Sequence, residues 1–134
     1  MRFMVMTIAE GQGSAEVDSA PSAEATAKMR AYNKSLQNAG VLLALEGLFP
    51  PSTAARISCI DGKPTATEGP FVQQKDVIGG YWIIEVRSRE EAIEWAKRAL
   101  VSNDSVIEVR QVREMSDLRA GAQRAAEGFE PLTR

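Results

Sequence analysis

The chain has 134 residues, 44% hydrophobic and 25% charged, with 16 Lys plus Arg against 18 Asp plus Glu for a formal charge of -2. That length holds one core rather than two, and the near-balanced charge gives no electrostatic reason to expect nucleic acid or an anionic membrane as partner. It contains no histidine and one cysteine, Cys59, which excludes a Ser-His-Asp triad, a Cys-His dyad, a His-ligated zinc and an internal disulfide.

Residues 2–8 read as a first strand with apolar side chains on both faces, hence central. The eight-residue opening Met1–Ile8 is too short for a secretory leader. No later run nears the ~20 apolar residues of a membrane span. A cytoplasmic, reducing setting is the expectation. Glu10 to Ala20, small and polar with glycines at 11 and 13, reads as a loop. Ser22 is placed to cap a helix with Glu24 in its first turn. Ala25, Met29, Tyr32, Leu36 and Ala39 recur at helical spacing, and Gly40 stops the helix.

Leu42 to Leu48 follows as a second strand, ended by Pro50-Pro51. Ala55–Ile60 and Pro64–Thr67 flank Asp61-Gly62, a strong hairpin signal. Tyr81 to Arg87 is the clearest strand of all. Ser88-x-x-Glu91 then opens a helix to about Leu100, burying Ala92, Ala96, Ala99 and Trp95. Ser105 to Val112 is the last core strand. Beyond it Leu118, Ala122, Ala125 and Phe129 trace a weak helical stripe in a charged tail. Residues 1–114 therefore read as the domain and 115–134 as its tail. The repeated strand–helix–strand order, with a hairpin between the halves, predicts an α+β, ferredoxin-like βαββαβ fold.

Alternation assigns the faces. Trp82, Ile84 and Val86 oppose Tyr81, Ile83, Glu85 and Arg87; Ile107 and Val109 oppose Val106, Glu108, Arg110 and Val112. In the second strand Glu46 shares a face with Leu42, Ala44 and Leu48. Each strand so has a wholly apolar face for the helices and a mixed one. The mixed faces are too apolar to leave in water. Pairing two copies sheet to sheet would bury them and leave Glu46, Glu85, Glu108 and Arg110 lining a polar pocket.

Gly47-Leu48 with Pro50-Pro51, Asp61-Gly62-Lys63, Gly69-Pro70-Phe71, Lys75, Gly79-Gly80-Tyr81, Ser88 with Glu91-Ala92, and Ile107-Glu108-Val109-Arg110 together resemble the YCII-related, or DGPF-domain, family. The resemblance runs over roughly residues 2–114 and implies a dimeric α+β barrel. The family's Asp-Gly-Pro-Phe stands here as Glu68-Gly69-Pro70-Phe71, which lengthens the carboxylate by a methylene. Some relatives are thought to use a His/Asp pair, and one branch includes a dehydrochlorinase of aromatic degradation. The lack of histidine means that dyad does not carry over. Other members are encoded beside extracytoplasmic-function sigma factors, which implies a regulatory association.

The site residues follow from both lines of reasoning. Glu46 and Glu85 on neighbouring strands, and Glu68 beside the Gly-Pro-Phe turn, are the catalytic candidates, since a desolvated carboxylate can serve as general base. Phe71, Lys75, Gly79, Gly80, Tyr81 and Arg110 are the substrate-binding candidates, with Arg110 or Lys75 holding an anion. Against this stand plainer structural roles. Gly69-Pro70-Phe71 reads equally as a turn with a core plug, Gly79-Gly80 as a bulge, and the glutamates as ion-pair partners of Arg2, Arg110 or Lys75. Cys59, with no histidine to activate it, reads as a buried, inert thiol.

The first expectation is a homodimer binding a small molecule in the barrel pocket. A carboxylate-based lyase or isomerase, a sigma-factor partner and a purely structural dimer are the alternatives. No cofactor, metal, nucleic acid or membrane partner is expected.

Overall fold

The computed structural model describes residues 1–10, 22–71, 76–99 and 106–128. Most of the expected loop after the first strand, Lys75, Leu100, Ser105 and Phe129 lie outside these residues. The elements run β1 (Arg2–Glu10), α1 (Ala23–Asn38), β2 (Leu42–Gly47), β3 (Ala55–Ile60), β4 (Lys63–Glu68), β5 (Asp76–Glu85), α2 (Arg89–Lys97), β6 (Val106–Gln111) and α3 (Ala120–Ala125).

Local chemistry sets most of these boundaries. The Ser22 hydroxyl accepts the Ala25 N–H at 3.1 Å to start α1. Its far end closes with Gly40 N–H donating to Gln37 O (3.0 Å), Val41 N–H donating to Leu36 O (3.2 Å), and Gly40 at φ +72°. That is a Schellman closure, possible because glycine has no Cβ to clash in the left-handed region. At α2 the Ser88 hydroxyl accepts from Glu91 N–H. The Glu91 carboxylate reaches back to Arg87 N–H at 2.9 Å, one residue ahead of the cap. Asp61 (φ 51°) and Gly62 (φ 78°) form the two-residue turn joining β3 to β4.

Four strands make one antiparallel sheet in the order β2-β5-β1-β6, and β3 and β4 make a separate two-stranded ladder. The architecture is α+β, and the order of the main sheet is compatible with a ferredoxin-like fold. Helices α1 and α2 lie on one sheet face. Tyr32 and Leu36 from α1, with Ala92 and Ala96 from α2 and Ala99 just beyond it, pack onto Phe3, Val5, Trp82, Ile84 and Val86. Phe3, Val5, Leu36 and Ile84 are essentially sealed from water, none more than 1% exposed. Polar atoms orient this packing. The Tyr32 hydroxyl donates to Trp95 O at 2.9 Å, and the Tyr32 and Trp82 rings meet edge to face at 5.2 Å. Burial pushes the Tyr32 phenol up to about 12. Trp95 is only half-buried, with the Arg98 guanidinium 4.4 Å from its ring centre.

Two irregularities shift what alternation alone predicts. β5 starts at Asp76 rather than Tyr81, so the glycine pair lies inside the strand. Opposite it the ladder steps from Thr7↔Gly80 to Ile8↔Ile78, which leaves Gly79 as the extra residue of a bulge. A second shift between Leu42 and Ala44 puts Leu42 opposite Ile84 on the helix side, while Glu46 stays with Tyr81 on the other face. Leu42 therefore joins the core and does not share a face with Glu46, because a bulge interrupts the two-residue period.

The sheet face away from the helices carries Met4, Met6, Ile8, Ile78, Tyr81, Ile83 and Val106 by register. No helix covers it. Ile78 is 44% and Val106 56% exposed.

Candidate functional site

The site is built where the end of β2 meets the interior of β5 and β1 beneath α1. β5 needs glycine at position 80, since a Cβ there would come 2.8 Å from Glu46 O on the neighbouring strand. At Gly79 a Cβ would sit 3.2 Å from the Thr7 hydroxyl, which itself donates to Gly80 O at 3.4 Å. Gly47 pairs with Gly80 in the β2–β5 ladder, and a Cβ at Gly47 would meet nothing within 4 Å. Protein packing thus requires glycine at 80 and leaves the space above Gly47 empty.

That space is a pocket of about 210 Å³. Its floor is Gly47, Gly79 and Gly80; its walls are Leu45 and Trp82 from the sheet and Met29 and Asn33 from α1. Thr7, Glu46 and Tyr81 complete the rim. The indole N–H of Trp82 donates to Asn33 Oδ1 at 2.7 Å, which locks the amide against the sheet.

Of the expected site residues, Glu46, Gly79, Gly80 and Tyr81 come together around this pocket. The others do not. Glu85 lies opposite Arg2 and hydrogen-bonds through its N–H to Val41 O, four residues along β5 from the Tyr81 position that faces Glu46. Four residues of extended strand span about 13 Å, so the two glutamates share a face without adjoining. The expected carboxylate pair is separated because register, which alternation does not specify, sets the offset.

Glu68 and Phe71 stand at the base of the β3–β4 hairpin. Gly69 N–H donates to Ala54 O at 2.7 Å, and a Cβ on Gly69 would fall onto Pro51 O. The Arg56 guanidinium covers the Phe71 ring at 4.2 Å. Neither Glu68 nor Phe71 lines the pocket. Arg110 is opposite Met4 on the face away from the α1–α2 core, 4.0 Å from the Glu108 carboxylate. Lys75 lies outside the described residues. Cys59 is exposed on the hairpin rather than enclosed.

The YCII-related domain family model matches residues 1–116. The chain belongs to the YCII-related family. Comparison with curated proteins finds no match. In this YCII-related domain the match ends ahead of α3 and spans every strand of both sheets.

Electrostatics in the YCII-related domain concentrate away from the pocket. Arg2 donates to both oxygens of Glu114 at 2.8 and 3.0 Å, and this pairing holds the Glu114 carboxyl below its usual range. The same hydrogen bond, with lesser attraction from Glu114 and Glu85, raises Arg2. No group of three metal-ligating side chains occurs among the described residues, and none of their helices is long and apolar enough to cross a membrane.

Sequence reading missed Thr7, Met29, Asn33, Leu45, Gly47 and Trp82 as site residues. Asn33 carried a usable signal: it lies four residues after Met29 and one after Tyr32, on the edge of the apolar stripe of α1. A polar side chain there must find a partner on the sheet or in a cavity.

Proposed function

We propose that this YCII-related protein binds a small molecule in the pocket between α1 and the glycine floor of the sheet. The observation that carries this reading is Gly47. It lines the pocket, its backbone needs no left-handed conformation, and no protein atom competes for the space its side chain would fill. Pockets that take ligands are concave, mainly apolar and supplied with a few fixed polar groups, and here Asn33 is such a group.

A second copy completes the reading. Two sheets facing each other through Met4, Ile78, Ile83 and Val106 would close the dimeric α+β barrel and remove an apolar surface from water. The specific support is that Ile78 and Val106 on this face are exposed while the opposite face is sealed by α1 and α2. A carboxylate-based lyase or isomerase remains the enzymatic variant of the proposal. Glu46 borders the pocket by its strand position, but its register puts the side chain on the sheet face away from α1, so carboxylate chemistry would take place on that face rather than in this pocket.

The test is a thermal-shift screen of small fragments on the wild type and on Gly47→Val, which fills the pocket from an unobstructed position. Fragments should raise the melting temperature of the wild type and leave the variant's unmoved, while the unliganded variant melts within a few degrees of the wild type. Fragments acting equally on both proteins, or no active fragment, would refute the pocket. Sedimentation equilibrium tests the barrel separately, and a monomer at micromolar concentration would remove it.

A further inference from the structure

We infer that the pocket selects an uncharged, compact, mainly apolar molecule bearing one hydrogen-bond acceptor, chemically a small ketone or aldehyde. This rests on the pocket reading above and extends it to the class of ligand.

Size comes first. A dry apolar cavity of about 150 Å³ accommodates benzene, and the pocket here is about 210 Å³. An occupant of roughly six to nine non-hydrogen atoms follows on that scale, which excludes nucleotides and coenzyme-sized groups.

Charge comes second. Among the described residues no Lys or Arg lines the pocket, and Arg110 stands on β6 on the other sheet face. An anion entering would shed water without meeting a counter-charge, which is costly against the weak polarity of the walls. A cation would have only Glu46, whose register directs it to the face away from α1 and whose side chain is exposed. Neither charge is provided for.

Orientation decides the rest. An indole nitrogen can only donate, so the 2.7 Å contact to Trp82 fixes which end of the Asn33 amide faces the sheet: the oxygen. The amide's remaining polar group is its NH₂, with two N–H donors and no acceptor among the described residues. The Thr7 hydroxyl is directed at Gly80 O. The pocket therefore has donors to spare at Asn33, and the ligand must bring the acceptor. A carbonyl oxygen supplies this without adding a charge, and the Met29 thioether and Leu45 pack against an apolar body.

The experiment is a ¹H–¹⁵N NMR titration of the full chain with four probes of one shape: cyclohexanone, cyclohexene, cyclohexanecarboxylate and cyclohexylammonium. The Trp82 indole and Asn33 amide resonances report on the pocket. Cyclohexanone should bind most tightly, about 3- to 10-fold better than cyclohexene, as one net neutral hydrogen bond allows, with both ions weaker than the ketone. Asn33→Asp keeps the acceptor for Trp82 and removes the NH₂, so it should bring the cyclohexanone-to-cyclohexene affinity ratio to about one, whatever the added charge does to both together. Tighter binding of either ion, or equal binding of ketone and alkene, would overturn the ligand class while leaving the pocket in place. If no probe moves a pocket resonance the class is likewise wrong, and the Gly47→Val comparison then judges the pocket itself.

Discussion

The main sheet and the β3–β4 hairpin are both antiparallel ladders with clear alternation, yet they end in opposite environments. On β1 and β5 the alternate residues Phe3, Val5 and Ile84 are at most 1% exposed, because α1 and α2 cover that face. On the hairpin Ala55, Ile57 and Cys59 share a face with Ala66 and Pro64, and every residue of both strands is exposed, Ile57 at 68%. The hairpin carries a two-residue turn at Asp61-Gly62, and among the described residues the main sheet carries none. Turn chemistry thus suffices to form a ribbon, whereas burial needs a second layer.

Cutting Ile84 to Ala is the harshest way to probe that contrast. It should cost about 2–5 kcal/mol, the range for emptying a fully packed core position, whereas Ile57→Ala on the hairpin should stay within about 0.5 kcal/mol, as exposed substitutions do. Urea unfolding of the two variants measures both. A loss at Ile57 rivalling that at Ile84 would break the comparison, since it would mean that the hairpin's apolar face is covered in solution.

A smaller effect sharpens the core side. Tyr32→Phe keeps the ring against Trp82 and removes the hydroxyl bonded to Trp95 O, for a loss of about 0.5–1.5 kcal/mol at neutral pH. The wild type should also weaken in alkali. Burial raises the Tyr32 phenol from 10.0 to about 12, so its contribution is whole below the lower value and disappears as pH rises through the upper one. Melting temperatures of both proteins between these limits should converge. A parallel fall in the two would assign the alkaline loss to other groups.

The smallest effect concerns the Arg2–Glu114 pair, which ties the first residues of β1 to the segment after β6. Its side chains are 28% and 39% exposed, so solvent screens it and Glu114→Gln should cost under about 1 kcal/mol. Glu114 is held below its unfolded value by the hydrogen bonds from Arg2. Its contribution is present above that unfolded value and is lost as pH falls through the folded one. Acid titration of stability should therefore show a shallower slope in Glu114→Gln. Identical slopes would mean that the pair adds nothing.

Much of this architecture is legible in the residues themselves, element by element. Ser22, Gly40, Asp61-Gly62 and Ser88 act through bonds to atoms a few positions away, so their roles can be read without knowing the fold. The helix-facing sets Trp82, Ile84, Val86 and Ile107, Val109 follow from the two-residue period of a strand. The glycine pair also announced a bulge or a close approach, and the structure shows both, the bulge at Gly79 and the approach at Gly80.

What local chemistry did not decide was register and depth. The residues alone indicated the strands, the caps, the hairpin turn and the absence of histidine chemistry, because each depends on nearest neighbours or on composition. Only the tertiary structure could move Leu42 into the core, separate Glu85 from Glu46 along β5, and bring Asn33, Trp82 and Gly47 around one cavity. Each of those outcomes depends on how far one strand slides past another, and on which turn of α1 rests above the sheet. Such offsets are set by packing between segments distant in the chain, where a single bulge redirects every side chain that follows it.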